Sequence, residues 1–263
     1  MNRPQNADKL AVYVTSLDKS SDLWGAFFKM FSKNWPDCPY KVYLGNNSDI
    51  FQRENIIVLN AQNHSNWSDR ALEHLEQIPE PYVLMLLDDW FLYQLVDSLV
   101  IDECFGCIIK LDGVMLRLVP DPKPDYALAG LYKIGLLKVG KLNRTNTHAT
   151  IWHKEALVKL ITKGESLWEF EVNGSIRSNV YSGGIYCVWN PIIKYFGAVE
   201  RGKWTRYAVR KLAQERISID LKRRAVKTFN ETFYHFVYNK IASCLRLLLG
   251  LRLRQIIKSK YAR

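Results

Sequence analysis

The sequence of 263 residues lacks the features that mark several classes of protein. Its five cysteines, an odd number without regular spacing, argue against a disulfide framework. Cys104 and Cys107 have the spacing of a redox motif, but no second pair accompanies them, and we interpret them as small apolar residues on one helix face. No internal repeat or low-complexity linker occurs. With 48% hydrophobic and 24% charged residues, the composition excludes a disordered chain, a collagen and a coiled coil.

Segments that direct a chain to or through a membrane are also missing. The first residues contain no apolar run of the signal-peptide type. The longest apolar stretch, 82–95, is interrupted by Asp88 and Asp89 and is too short to span a bilayer. We therefore expect a cytoplasmic protein in a reducing compartment.

The net charge of +11 is unevenly distributed. Residues 201–263 carry 17 basic and 3 acidic side chains, whereas residues 1–200 carry 20 basic and 23 acidic ones. Between 229 and 260, apolar residues recur at three- and four-residue steps and cations gather toward the end, which is typical of an amphipathic helix on an anionic membrane. We predict a main domain, 1–225, and a basic amphipathic helical segment, 226–263. This segment either binds the inner face of the cell membrane or packs on the domain.

The order of apolar segments predicts an α/β fold with a mainly parallel central sheet. Apolar runs that begin at Leu10, Tyr40, Ile56 and Tyr82 predict strands, and the segments 23–35 and 68–78, the second capped by Ser68, predict helices between them. Further helices are predicted over 97–111 and 154–163 and from Ser166, and further strands within 113–118, 130–139 and 149–152. In such sheets, ligands bind at the carboxyl ends of the strands.

Two adjacent carboxylates, Asp88 and Asp89, directly follow the apolar strand Tyr82–Leu87. Carboxylates in this position are costly unless a positive charge neutralises them. A divalent cation such as Mg²⁺ or Mn²⁺ does so and keeps positions open for phosphate oxygens. The alternative is that Asp88 caps a following helix and Asp89 pairs with an arginine. Polar loops after the preceding strands favour the cation.

Several short motifs occur in an order and spacing that resemble a known family. They are Val12–Lys19 with Asp22–Trp24, Trp35–Asp37 with Val42–Leu44, Trp67–Ser68 with Tyr82–Asp89, Ile151–Leu157, Trp168–Glu171 and Arg201–Trp204. Over roughly residues 10–225, the chain is similar to bacterial glycosyltransferases encoded in O-antigen and capsule polysaccharide clusters. The resemblance implies a GT-A catalytic domain, an Asp-X-Asp-type motif for Mn²⁺ or Mg²⁺, a nucleotide-sugar donor such as a UDP-sugar, and a lipid-linked glycan acceptor. Galactofuranosyltransferases belong to the wider group and give one donor candidate.

The motif departs from the family pattern because Phe91 stands where a further carboxylate is expected. This leaves open which oxygens hold the metal. We assign Asp89 to the metal, and Asp88 either to the metal or to ribose and sugar hydroxyls. A bound cation stabilises the leaving diphosphate as its negative charge grows.

Four residues are candidates for the nucleotide. Asp18 and Lys19, after the first strand, either meet the base or ribose or form a solvated turn. Arg70 is expected to reach the diphosphate or to pair with Asp88. Trp67 either stacks on the nucleobase or belongs to the core or a lid.

An inverting transferase requires a general base, whereas a retaining one needs none at that position. Ser166 and Glu169 have the spacing of a capping box, which gives Glu169 a structural role. Glu171 lies among apolar neighbours, where burial is expected to raise the pKa of a carboxyl group. We predict Glu171 as the base, with Glu169 as the alternative candidate; the simpler interpretation of Glu171 is an exposed helix carboxylate.

Three later residues complete the candidate site. The resemblance places His148 near the donor or acceptor sugar; the alternative is a hydrogen-bonded structural residue. Lys203 and Trp204 are candidates for a phosphate contact and a sugar-stacking platform; the alternative is a solvated lysine beside a core tryptophan.

Two other functions compete with glycosyl transfer. The net charge and the aromatic content suggest nucleic-acid binding, but the excess charge lies in the amphipathic segment and the strand-end loops are acidic. We therefore expect no nucleic-acid partner. The second alternative is a nucleotide-binding protein that keeps the fold without the chemistry.

Overall fold

The computed structural model describes residues 6–62 and 64–232, and only the backbone of Tyr132. The chain divides into two compact units, Met1–Phe196 and Gly197–Arg263. The predicted domain 1–225 therefore spans the first unit and part of the second, and its boundary stays a prediction. From residue 233 on, the predicted amphipathic segment lies outside the described residues. Among those described, no helix has the length and apolarity needed to cross a bilayer.

The described chain alternates strands and helices much as the sequence predicts. The strands are β1 (Leu10–Thr15), β2 (Lys41–Asn46), β3 (Ile56–Asn60), β4 (Tyr82–Leu87), β5 (Trp90–Leu92), β6 (Met115–Arg117), β7 (Tyr126–Leu128), β8 (Leu131–Leu136), β9 (Thr150–His153), β10 (Ile185–Val188), β11 (Tyr195–Gly197), β12 (Val199–Glu200) and β13 (Lys203–Trp204). The helices are α1 (Ser21–Asn34), α2 (Trp67–Gln77), α3 (Ser98–Lys110), α4 (Lys154–Leu160), α5 (Leu167–Arg177) and α6 (Arg206–Gln214).

Nine strands form the central sheet of the described residues, in the order β3-β2-β1-β4-β9-β6-β10-β8-β7. The first four are parallel to one another. β9 is antiparallel to both β4 and β6, and β10 is parallel to β6. The predicted α/β class is confirmed: one half of the sheet is parallel, and the other half is mixed because β9 and β8 run in the opposite direction.

Helix α1 shows why these sequences fold locally as they do. Its aromatic residues recur at three- and four-residue steps, and Trp24, Phe27, Phe28 and Phe31 are all buried, as predicted. Phe27 and Phe28 meet edge to face with ring centroids 5.0 Å apart. Burial of such rings contributes about 2–3 kcal/mol each and holds the helix on the sheet.

The strand directions bring several chain segments to one edge of the sheet. The carboxyl ends of β1, β2, β3, β4 and β6 lie there because these strands run the same way. β9 runs the opposite way, so the loop that precedes it arrives at the same edge. We call this the C-terminal edge, and it is where an open α/β sheet binds ligands.

A buried histidine joins α2 to the end of β2. The Tyr13 hydroxyl lies 2.8 Å from His74 Nδ1, and His74 Nε2 lies 2.8 Å from the carbonyl oxygen of Asn46. Since a carbonyl only accepts, Nε2 carries the proton and Nδ1 accepts from Tyr13. Burial lowers the pKa of His74 to about 4. Gly45 leaves room for the ring, because a Cβ there would lie 2.5 Å from Nδ1.

This histidine predicts a fall in stability at acid pH. The unfolded chain binds the His74 proton near pH 6.5, whereas the folded chain binds it only near pH 4. The free energy of unfolding should therefore lose about 3 kcal/mol from this group between pH 7 and pH 4. Urea unfolding of wild type and His74→Gln across this range measures the loss. Equal pH dependence in the two proteins would contradict the assignment.

Candidate functional site

Asp88 is a buried carboxylate fixed at the C-terminal edge. It follows β4 and is 7% exposed. The Ser16 hydroxyl donates to its Oδ2 atom, and the indole nitrogen of Trp24 donates to Ser16 Oγ at 2.7 Å. Asp89, beside it, is half-buried. Strand β5 begins at Trp90, so the alternative that Asp88 caps a following helix is wrong.

Asp88 and Asp89 have the ligand type that a divalent cation such as Mg²⁺ takes, and a metal at this position stays a prediction. No group of three or more His, Cys, Asp or Glu side chains in the described part of the chain is arranged to hold a metal ion. Mg²⁺ is commonly held by only one or two carboxylates, with substrate phosphates and waters as the remaining ligands. Asp88 and Asp89 are the adjacent carboxylates that match this requirement.

Asp18 organises the loop that follows β2. Its carboxylate accepts from the backbone nitrogens of Asn47, Ser48 and Asp49, at 3.0 to 3.2 Å, and from the Ser48 hydroxyl at 2.8 Å. Desolvation acts to raise the pKa of Asp18, but these hydrogen bonds outweigh it and hold the pKa below its ordinary value. Asp18 is therefore ionised and built into the turn, and its predicted contact with a nucleotide stays a prediction. Lys19 is exposed in the same turn.

Arg70 belongs to the same polar network. Its Nη1 donates to the carbonyls of His64 and Ser65, at 3.2 and 2.9 Å, and Asn47 Nδ2 donates to the His64 carbonyl at 2.9 Å. Burial lowers the pKa of Arg70, and the charge of Asp18 acts in the opposite direction. The ends of β1, β2 and β3 are thus joined around a buried cation.

Three buried polar atoms near this network have no hydrogen-bond partner among the described residues. They are Arg70 Nε, Asn46 Oδ1 and Ser68 Oγ. Ser68 lies inside α2, which begins at Trp67 after Asn66, so its predicted role as a cap is wrong. Buried polar atoms are normally paired, so these three atoms are candidates for contacts with a polar ligand or water.

Trp67 lies in the core. Its indole nitrogen donates to Thr15 Oγ1 at 3.1 Å, and its ring lies 5.1 Å from the ring of Phe170, measured between centroids. Its side chain is buried with the cluster between the sheet and α5. This agrees with the core alternative, and the predicted stacking on a base stays a prediction.

Glu171 reaches the C-terminal edge through the loop before β9. Its Oε1 atom accepts from the backbone nitrogen and the hydroxyl of Thr147, at 3.3 and 3.1 Å. The Glu171 carbonyl accepts from Ser175 Oγ at 2.6 Å. Thr147 lies three residues before Thr150, which pairs with Met85 in β4. The helix carboxylate and the pair Asp88–Asp89 therefore belong to the same edge of the sheet.

His148 is enclosed by two aromatic rings. Its centroid lies 3.8 Å from that of Tyr195 and 5.0 Å from that of Trp90. Burial lowers the pKa of His148 to about 3, so the imidazole is neutral at physiological pH. Both of its ring nitrogens are buried and have no hydrogen-bond partner in the described structure. The His148 ring therefore forms no hydrogen bond with the described residues, and its predicted place near a sugar stays a prediction.

Arg117 lies at the C-terminal edge of the sheet and was not among the candidates of the sequence analysis. It ends β6, is 1% exposed, and donates through Nη1 to the Asp121 carbonyl. Burial lowers its pKa, and the charges of Glu171 and Asp121 act in the opposite direction. Its position in the sequence could have indicated it, because Arg117 ends a short apolar strand in the same way that Asp88 directly follows one.

Lys203 and Trp204 lie in the second unit. Lys203 forms an ion pair with Glu231, whose pKa this contact lowers to about 2. The Trp204 side chain is fully buried, and its backbone nitrogen donates to the Ala225 carbonyl at 2.9 Å. The core alternative describes Trp204 in this structure. Its role as a sugar platform, like the phosphate contact of Lys203, stays a prediction.

Glu169 completes the capping box predicted at the start of α5. The backbone nitrogen of Ser166 donates to Glu169 Oε2 at 2.8 Å, and the backbone nitrogen of Glu169 donates to Ser166 Oγ at 3.3 Å. These hydrogen bonds lower the pKa of Glu169 and make it a weaker base. The structural role is confirmed.

The capping box predicts how Glu169 variants behave. Glu169→Ala and Ser166→Ala should each lower the free energy of unfolding by about 1 kcal/mol, because each leaves backbone donors of α5 without a partner. Glu169→Gln keeps the cap and should change little. Urea unfolding measures all three, with Glu76→Ala on α2 as an exposed control. Unchanged stability in Glu169→Ala would contradict the cap.

Comparison with known proteins identifies the fold and leaves the family open. No protein-family model matches the chain, and a search of curated proteins finds no match. Solved structures do match. The crystal structure of S. aureus TarS 1–349 in complex with UDP is 13% identical with a TM-score of 0.50, over 81% of this chain and 67% of that chain.

Two further crystal structures of TarS 1–349 give similar values. The first has 12% identity and a TM-score of 0.49, over 72% of this chain. The complex with UDP-GlcNAc has 13% identity and a TM-score of 0.47, over 74% of this chain. The chain spans 60% of the length of either one. The likeness to the UDP complex supports the predicted α/β, GT-A-type fold.

Proposed function

We propose that this protein is a glycosyltransferase that transfers a sugar from a UDP-sugar to a hydroxyl group of a glycan. The observation that carries the proposal is the placement of Asp88, Asp89 and Glu171 at one edge of a GT-A-type sheet. The resemblance of residues 10–225 to polysaccharide-cluster glycosyltransferases supports it. So does the fold shared with TarS, which has been crystallised with UDP and UDP-GlcNAc.

The ends of β1, β2 and β3 supply the nucleotide end of the proposed site. Asp18 fixes the turn after β2, and Arg70 places a buried positive charge beside it. The unpartnered atoms Asn46 Oδ1 and Arg70 Nε offer an acceptor and a donor for a polar ligand. A nucleoside diphosphate has complementary groups of both kinds.

Asp89, with Asp88, would hold Mn²⁺ or Mg²⁺ on the diphosphate. When bound, such an ion acts as a Lewis acid and stabilises the charge of the leaving group. The protein holds Asp88 in place through Ser16, so little reorganisation is needed when the donor arrives.

Glu171 is the proposed general base of an inverting reaction. Thr147 holds its Oε1 atom, which orients the carboxylate at the C-terminal edge. The carboxylate would take the proton of the acceptor hydroxyl as that oxygen attacks the anomeric carbon and the bond to UDP breaks. A lipid-linked glycan of bacterial surface polysaccharide synthesis is the proposed acceptor, on the basis of the sequence resemblance.

One prediction of the proposed function concerns donor binding. UDP at one hundred times its Kd stabilises the folded state by about 2.7 kcal/mol, which raises Tm by about 5–10 °C for a chain of this size. We expect this rise with UDP and Mn²⁺, and we expect Asp89→Asn to lose its manganese-dependent part. Thermal unfolding with a panel of UDP-, GDP- and dTDP-sugars measures it. Asp8→Asn, at an exposed position before β1, is the matched control. Equal manganese-dependent shifts in the wild type and Asp89→Asn would contradict the metal assignment.

Another prediction of the proposed function concerns the general base, Glu171. Glu171→Gln should lower kcat about 100- to 10,000-fold, the usual contribution of a general base, while the Kd for UDP stays within twofold. Release of UDP from the UDP-sugar during transfer measures kcat. Glu169→Gln, two residues away with its cap intact, should transfer at the wild-type rate. Normal transfer by Glu171→Gln would show that this carboxylate is not the base.

A further inference from the structure

A cluster of three rings lies directly beside the carboxylate pair. Trp90 follows Asp89 in the chain and begins β5, and Tyr195 begins β11, the strand that pairs with β5. The centroid of Trp90 lies 5.0 Å from those of both Tyr195 and His148. Trp90 is 37% exposed, so one side of the cluster faces solvent.

The imidazole of His148 is covered and has unused hydrogen-bonding capacity. A neutral imidazole has one N–H donor and one acceptor nitrogen, and neither ring nitrogen has a partner in the described structure. The rings of Trp90 and Tyr195 satisfy an N–H only weakly and an acceptor nitrogen not at all. Leaving such groups buried and unpaired is unfavourable, because they have lost their hydrogen bonds to water. A polar ligand would recover this cost.

Arg117 adds a second unused donor beside His148. Its Nη2 atom is buried without a partner among the described residues. Arg144, the other fully buried arginine of the sheet region, instead donates to the carbonyls of Leu137, Ser178 and Tyr181. Arg117 pairs with Thr150 of β9, and the backbone nitrogen of Leu118 donates to the Ala149 carbonyl at 2.9 Å, so Arg117 lies beside the chain segment that carries His148.

We propose that Trp90, His148 and Arg117 form a sugar-binding subsite beside Asp89. Trp90 covers His148, and its indole turns aside to admit a sugar ring. The indole then packs on the C–H face of the sugar, while sugar hydroxyls pair with the His148 nitrogens and Arg117 Nη2. This inference rests on the proposed glycosyltransferase function and adds the residues that recognise the sugar.

The chemistry of the subsite favours a sugar over other ligands. A hydroxyl group both donates and accepts, which matches the neutral imidazole. The charges of Glu171 and Asp121 already act on Arg117, so an anionic group gains less there than beside an isolated arginine. An aromatic face next to hydrogen-bonding groups suits a ring that has an apolar face and a polar rim. The sugar belongs either to the donor or to the acceptor.

The experiment compares sugar binding with UDP binding in the full chain. Calorimetry in the presence of Mn²⁺ gives the Kd of UDP and of four UDP-sugars: UDP-glucose, UDP-galactose, UDP-GlcNAc and UDP-galactofuranose. The increase in affinity of a UDP-sugar over UDP alone measures the binding of the donor sugar. Methyl glycosides of the same sugars, titrated at saturating UDP, measure the acceptor sugar. The variants are Trp90→Ala and His148→Ala. Trp90 is partly exposed, so its removal leaves the core intact.

Two substitutions serve as matched controls. His153→Ala removes a histidine at the opposite end of β9, where it lies beside Tyr82. Tyr126→Ala removes an exposed aromatic ring from β7, the last strand of the sheet. Both should bind sugars as the wild type does.

We expect Trp90→Ala and His148→Ala each to weaken one of the two sugar affinities at least tenfold, either that of a UDP-sugar relative to UDP or that of a methyl glycoside. The Kd of UDP should change less than twofold. If the variants lose the extra affinity of a UDP-sugar over UDP, the subsite binds the donor sugar. If they lose the binding of a methyl glycoside, it binds the acceptor sugar. If both variants bind UDP and also keep the wild-type values in both sugar measurements, the proposed subsite is overturned. The subsite would also be overturned if the wild type bound UDP, but bound no UDP-sugar more tightly than UDP and bound no methyl glycoside. A wild type that does not bind UDP would instead contradict the proposed function.

Discussion

The hydrogen-bond chain from Trp24 through Ser16 to Asp88 fixes the position on which the rest of the site depends. It exists because β1 and β4 are neighbours in parallel register, with Thr15 opposite Leu87, so that the next residue of each strand meets the other. A buried carboxylate is costly without such partners. The chain therefore links the packing of α1 on the sheet to the placement of a charged group at its edge.

The two sides of Asp88 differ in how far their polar groups are satisfied. Toward β2, Asp18 and Arg70 hold the loops through several hydrogen bonds, so that side is preorganised. Toward β6 and β9, both ring nitrogens of His148 and the Nη2 atom of Arg117 are buried without partners in the described structure. The side toward β2 is therefore suited to hold one part of a ligand rigidly. On the side toward β6 and β9, the ligand itself would complete the hydrogen bonds of the protein.

Local patterns predicted much of the fold and part of the site. The strand before Asp88, the aromatic face of α1 and the capping box at Ser166 were all visible, because each depends on residues close in sequence. Arg117 and the enclosure of His148 were not. They depend on β9 lying between β4 and β6, a long-range pairing that periodicity does not reveal. Nor did the sequence distinguish a core tryptophan from a binding platform: Trp67 and Trp204 are both buried.

The most direct test of the account is a crystal structure of the protein with UDP and Mn²⁺, with anomalous diffraction data collected at the manganese edge. The account predicts one strong anomalous peak between the carboxylate of Asp89 and the diphosphate of UDP, with the nucleoside toward Asp18 and Arg70. Bound UDP without manganese at Asp88 and Asp89, or manganese bound elsewhere in the molecule, would contradict it.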